Sequence, residues 1–212
     1  MLKSDRTIQL WLAFVLLTRL PFPHLPKDTF AQGARAVWAY PLVGLLVGTV
    51  GVLIGQLAFW AGLPSLIAAI LAVSMMILIT GAMHEDGLAD VFDGFWGGFD
   101  PTRRLEIMRD SQIGTYGVLA LSMVTLLRIA AIAELMNVGW LAIVPAAMAS
   151  RALMPLCMYA LPHARGDGLS HSVGKPPFAA VAFAGAIGSL AVMLGFGIKG
   201  ILIIIVAAGV SL

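Results

Sequence analysis

The chain has 212 residues, 60% of them hydrophobic and only 11% charged, with a mean hydropathy of +0.96. That composition excludes an ordinary soluble domain and indicates an integral membrane protein. A net charge of +2 gives no reason to invoke nucleic acid, and a single cysteine, Cys157, excludes an internal disulfide framework or a multi-cysteine metal site.

Residues 8–17 are a run of ten, apolar except for Gln9, too short to span, and are expected to lie at the interface or to re-enter. A secretory leader is the rival reading, but only Thr18-Arg19-Leu20-Pro21-Phe22-Pro23 follows, without a small-residue cleavage pattern. Five full-length apolar segments come next, at about 41–60, 64–81, 116–136, 140–161 and 178–196, each near the roughly twenty residues that a bilayer core needs. A sixth, 201–212, amounts to about 18 Å of helix, short of a crossing. The expected fold is all-α: one polytopic membrane helical bundle over residues 1–212, with five full spans, a short sixth and an N-terminal interfacial or re-entrant helix within residues 1–40. A homo-oligomer would shelter the mismatched short helix.

The connections alternate in character. Ala61-Gly62-Leu63 and Asn137-Val138-Gly139 are tight and uncharged, whereas the 82–115 and 162–177 loops are long and polar. Alternation puts both polar loops and the N-terminus on one side. That side carries Lys3, Arg6, Arg19, Lys27, Arg35, Arg103, Arg104, Arg109, Arg165 and Lys175, and the other carries Lys199 alone. Such a bias predicts that the polar loops face the cytoplasm.

The loop 82–115 opens with the densest chemistry in the chain. Four of the chain's eleven acidic residues fall within positions 85–93. On a helix, Asp86, Asp90 and Asp93 lie within roughly 60° of one another, on one stripe. At about 6 Å and an effective dielectric near 20, each carboxylate pair costs on the order of 3 kcal/mol, so either some are protonated or a cation sits among them. Oxygen-only ligands suit Mg²⁺, which keeps waters and binds substrate phosphate. About 10 Å of helix separates Asp86 from Asp93, long for one ion but comfortable for two. His84 and Glu85 lie off this stripe. His84 is either a structural or capping residue or, if placed on the turn before the helix, a base for an attacking hydroxyl. Glu85 is a weaker candidate for metal contact.

A second polar block runs from Arg103 to Gly117. The guanidinium forks of Arg103 and Arg109 suit phosphate, Asp110 and Ser111 stand beside them, and Gly114 and Gly117 permit close backbone approach to a ligand. The plainer reading of Arg103 and Arg104 is contact with lipid headgroups. Arg128 and Arg151 fall near the middle of their expected spans, where arginine costs at least a few kcal/mol, so each should face a polar cavity or a partner. Arg151 is a candidate for substrate phosphate. Gly166-Asp167-Gly168, before His171 and Lys175, is either a plain turn or a loop that closes over a nucleotide.

His84-x-Asp86-Gly87-Leu88-Ala89-Asp90-x-x-Asp93-Gly94, followed by Leu105-Glu106-Ile107-Met108-Arg109-Asp110-Ser111-x-x-Gly114-Thr115, closely resembles the cobalamin synthase (adenosylcobinamide-GDP ribazoletransferase) family. Thr18-Arg19-Leu20-Pro21, Pro41-Leu42-Val43-Gly44, Ser150-Arg151 and the Gly168…Gly174-Lys175 loop are similar to it as well. The resemblance implies a Mg²⁺-dependent transferase of the bacterial inner membrane with its active site on the cytoplasmic side. It would join adenosylcobinamide-GDP to α-ribazole or α-ribazole 5′-phosphate and release GMP, the late nucleotide-loop step of adenosylcobalamin assembly. On this footing Asp86, Asp90, Asp93 and His84 are the catalytic candidates, the three aspartates also as metal ligands. Arg103, Arg109, Asp110, Ser111, Arg151 and Lys175 are the substrate-binding candidates. Members of the family continue with a further Gly-Asp-containing cytoplasmic motif, so the resemblance implies that the 212-residue form is less active than a longer one. A CDP-alcohol phosphotransferase also opens its motif with Asp-Gly-x-x-Ala, but Asp90 stands where that motif has arginine. A cation or proton transporter would place carboxylates mid-span rather than in a cytoplasmic segment.

Overall fold

In an apolar layer every backbone N–H and C=O must be bonded within its own segment, so each long apolar run closes into a helix. The computed structural model describes residues 5–23 and 25–211, and among the described residues it is all-helical with no strand. The spans are α3 (Tyr40–Trp60), α4 (Ser65–Thr80), α7 (Thr115–Val138), α8 (Ile143–Ala160) and α10 (Phe178–Phe196). Among the described residues four apolar helical stretches are long enough to cross a membrane, and α4, with 16 residues, makes a fifth only together with the helix bent from it. The last helix, α11 (Lys199–Ser211), has 13 residues and packs on α10 and α8.

The spans pack side by side in the order α10, α8, α3, α4, α7. Apolar side chains are as well solvated by lipid as by one another, so close approach of backbones at small residues is what holds such helices together. On α3, Gly44 and Gly48 lie against Ala147 of α8, while Gly51 and Gly55 lie against Met76 and Ala72 of α4. A Cβ at Gly48 would sit 2.9 Å from the Ala147 methyl. The short helix α1 (Asp5–Leu17) buries Leu12, Ala13 and Leu17. Its Gln9 Oε1 accepts from Trp38 Nε1 at 2.9 Å, between the short α2 (Gly33–Ala36) and α3. At about 20 Å it is a docked helix rather than a crossing.

The loop between α4 and α7 is itself helical. It contains α5 (Met83–Gly97) and α6 (Pro101–Ile107), the latter capped by Asp100, whose Oδ1 accepts from Arg103 N at 2.9 Å. Gly81 and Ala82 are both left-handed, with φ of 64° and 58°, and they turn α5 by 89° away from α4. For Ala82 that conformation costs on the order of 1 kcal/mol. One face of α5 exposes Phe92, Phe95 and Trp96, with Phe99 just beyond its end. The other buries Ala89, Asp93 and Gly94. Aromatic residues on one side and carboxylates on the other suit a helix lying in the membrane interface.

Candidate functional site

Along α5 the acidic residues part company. Asp86 and Asp90, one turn apart, open into a cleft of about 820 Å³ whose far walls are Arg109, Asp110, Ser111 and Gln112 from the α6–α7 connection and Arg165, Asp167 and Gly168 from the α8–α10 connection. The Arg109 guanidinium donates to Asp167, joining the two connections over the cleft. Arg165 Nε lies 3.9 Å from the other oxygen of Asp167. Partial burial, then the neighbouring Asp86 carboxylate, pushes Asp90 above the usual carboxylate range, and Arg165 pulls it back. The cleft thus sets two mutually repelling carboxylates opposite two guanidiniums.

Asp93, expected as the third member of a metal trio, is employed differently. It is 8% exposed, with Oδ2 accepting from Gly114 N at 2.7 Å and Oδ1 from Gly117 N at 2.9 Å. These are backbone groups at the start of α7, whose own cap, Gly114, has no side chain to satisfy them. Asp93 supplies the missing cap from another helix. Gly114 and Gly117 accordingly approach a carboxylate of the chain rather than a ligand, and a Cβ at either would run into Asp93.

Among the described residues no three His, Cys, Asp or Glu side chains converge as a metal cage. Mg²⁺ does not need one, because it is commonly held by one or two carboxylates plus waters and substrate phosphates. Asp86 and Asp90, in an open cleft with guanidiniums opposite, fit that mode of binding; Asp93 does not line the cleft and holds a backbone N–H on each oxygen.

His84 lies off the cleft, and Glu85 borders both it and a second space. Together with Arg128 of α7 and Ser150 and Arg151 of α8 they form the polar wall of a second cavity, about 470 Å³, whose other wall is Met76, Ile132, Leu135 and Met154. Glu85 Oε1 accepts from Arg128 Nη1 at 2.7 Å, and Arg151 Nη1 donates to Ser150 Oγ at 2.8 Å. His84 Nε2 and Glu85 Oε2 are buried without a hydrogen-bond partner. Both mid-span arginines therefore face a polar cavity, as their cost in an apolar layer requires.

Two expected substrate contacts lie elsewhere. Arg103 pairs with Glu106 at 2.9 Å on the exposed face of α6, and Lys175 sits 5.2 Å from the Tyr159 ring centre. Conversely, Arg165 and Gln112 line the cleft although neither stood out in the sequence. Their only signals were a positive charge in a polar loop and adjacency to Ser111.

A sequence model of the family described as cobalamin-5-phosphate synthase matches residues 9–212. The adenosylcobinamide-GDP ribazoletransferase of Bradyrhizobium diazoefficiens is 48% identical over 189 residues, which cover 88% of this chain and 72% of that protein. Its counterpart in Azorhizobium caulinodans is 46% identical over 182 residues, 82% of this chain and 68% of that one. The Rhizobium johnstonii protein of the same name is 35% identical over 218 aligned positions, 98% and 84%. No solved structure matches the chain.

Proposed function

Since the chain belongs to the cobalamin-5-phosphate synthase family, we propose that it is an adenosylcobinamide-GDP ribazoletransferase using Mg²⁺ on the cytoplasmic face of the inner membrane. A ribose hydroxyl of α-ribazole or its 5′-phosphate attacks the phosphorus that carries the cobinamide. A new O–P bond forms, the P–O bond to GMP breaks, and GMP leaves with the bridging oxygen. The observation that carries this reading is the cleft itself, where Asp86 and Asp90 stand opposite Arg109 and Arg165.

Each group has a task in that reaction. Arg109 and Arg165 bind phosphate oxygens and neutralise charge on the leaving nucleotide; Ser111 offers a hydroxyl to the same oxygens. Asp86 and Asp90 would hold Mg²⁺, which when bound polarises a phosphoryl oxygen and stabilises the leaving group. His84, whose Nε2 is buried and unpartnered in the cavity that adjoins the cleft at Glu85, accepts the proton of an attacking hydroxyl that enters the cleft from that cavity. Arg109 meets phosphate only by leaving Asp167, an exposed pairing worth little on its own.

The test uses purified protein with Mg²⁺, adenosylcobinamide-GDP and α-ribazole. GMP release that needs both substrates and stops in EDTA supports the reading; cation flux in liposomes without substrate would replace it with a transporter. For orientation, cysteines placed at Asn137 and Gly166 in a Cys157→Ser background should label from opposite sides of intact cells. Equal labelling would refute the cytoplasmic placement.

A further inference from the structure

Away from the cleft, a cavity of about 740 Å³ opens between α1, α2 and the start of α10. Asp5 and Arg6 reach it from α1, Arg35 and Trp38 from α2 and the turn that follows it, and Ala180 and Phe183 from α10. The connection just before α10 holds α9 (Leu169–Val173), and Val173 lies against Gly33 of α2. The cavity therefore sits where α3 and α10 begin, on the side of the polar 162–177 connection. At that level of a membrane, hydrocarbon gives way to headgroups.

Its walls combine fixed aromatic rings with unpaired charge. Trp38 is held from two sides: its Nε1 donates to the buried Gln9 Oε1 at 2.9 Å, and its ring meets that of Phe183 edge-on at 5.8 Å. The Arg6 guanidinium lies 5.6 Å from the centre of the Trp38 indole, which orients it without consuming its N–H donors. Arg35 lines the same cavity. Among the described residues neither guanidinium enters an ion pair, and neither does the Asp5 carboxylate that shares the cavity with them. Two cations and one anion thus line one space and leave one another free. The exposed Phe183 continues the wall along a span. Such a space suits an amphiphile that is charged at the α1 end and apolar along α10.

We infer that this cavity binds one membrane phospholipid with an amine-bearing headgroup. Its phosphodiester is held by Arg6 and Arg35, its ammonium faces Asp5, and an acyl chain runs past Phe183. Guanidinium forks match phosphate oxygens. A basic patch alone would select an anionic lipid, whereas the Asp5 carboxylate in the same cavity favours a headgroup that carries both signs. The site is separate from the cleft and does not depend on the transferase reading. Lipid bound there fastens the N-terminal half of α1, whose C-terminal half is already docked through Leu12, Ala13 and Leu17.

Native mass spectrometry of the detergent-purified full chain tests this, in micelles that hold equal amounts of phosphatidylethanolamine and phosphatidylglycerol. As detergent is stripped, the last lipid retained by the wild type should be phosphatidylethanolamine, preferred by about threefold, as expected for one partly exposed ion pair. Asp5→Asn should bring the two lipids to parity. Arg6→Gln combined with Arg35→Gln should lower retention of both by about tenfold, as expected for losing charged hydrogen bonds. Equal retention of the two lipids by the wild type, a preference for phosphatidylglycerol, or retention unchanged in the double arginine variant overturns the assignment. Displacement of the lipid by millimolar inorganic phosphate also overturns it, because the site would then serve a free anion. Should the double variant not fold, Asp5→Asn decides alone: a preference for phosphatidylethanolamine that survives it overturns the proposal, and parity upholds it.

Discussion

The two ends of α5 treat the same chemical group in opposite ways. Asp86 and Asp90 face an open cleft, and no residue of the chain is hydrogen-bonded to their side chains among the described contacts. Asp93 is buried and spends both oxygens on the first amides of α7, while Glu85 spends one on Arg128. A carboxylate hydrogen-bonded within the fold stabilises it and gains less from a ligand. A carboxylate left in repulsion with its neighbour destabilises the empty protein and gains most when a cation arrives. Four acidic residues within two and a half turns thus divide into structural and functional pairs.

The contrast is sharpest if the functional pair is neutralised. Asp86→Asn or Asp90→Asn should lower turnover by at least about 10²-fold, because phosphoryl transfer depends on positioned ions. Neither should lower the melting temperature in EDTA, since each removes a repulsion. A mutant that keeps full GMP-release activity would take Mg²⁺ binding away from these two residues.

Asp93→Ala should behave in the reverse manner. Two buried amide donors lose their acceptor, which costs about 2–3 kcal/mol of stability, visible as earlier thermal unfolding in EDTA. Asp93→Asn keeps one acceptor oxygen and should recover part of it. If Asp93→Ala melts with the wild type yet loses activity as Asp90→Asn does, the division drawn here between the residues is wrong.

A smaller effect is expected at Glu85. Its side chain is 15% exposed and that of Arg128 32%, so breaking the pair costs less than a fully buried one, about 1–2 kcal/mol after screening. Glu85→Gln with Arg128→Gln should destabilise less than the sum of the single changes. Strict additivity in thermal unfolding would show that the two side chains do not interact in the membrane.

The smallest effect belongs to the Arg109–Asp167 bridge, whose side chains are each more than half exposed, at 57% and 56%. Asp167→Asn should change stability by less than about 1 kcal/mol. It should instead ease binding of the nucleotide-bearing substrate, because Arg109 no longer has to leave a carboxylate. Weaker binding of that substrate in Asp167→Asn would show that the bridge positions Arg109 rather than restrains it.

The spans were legible in the sequence almost to the residue: 41–60 is α3 at Tyr40–Trp60, and 178–196 is α10 at Phe178–Phe196. Their lengths follow from hydropathy alone, since a segment in lipid must satisfy its own backbone and must match the thickness of the layer. The aspartate stripe was legible for the same kind of reason, because helical periodicity is local. The need of Arg128 and Arg151 for a polar surrounding was also local, a matter of charge in an apolar run. What a single strand of residues does not contain is which groups meet. Asp93 finds Gly114 and Gly117 more than twenty positions away, and Glu85 finds Arg128 over forty away. Arg165 and Asp167 reach the cleft from a different connection altogether. Those meetings depend on the turn at Gly81 and Ala82, where α5 swings 89° from α4, and alanine has no intrinsic preference for the left-handed backbone it adopts there. Composition and periodicity determined the membrane helices and the residue types of the site; tertiary packing alone decided which carboxylates the fold uses and which it leaves to a ligand.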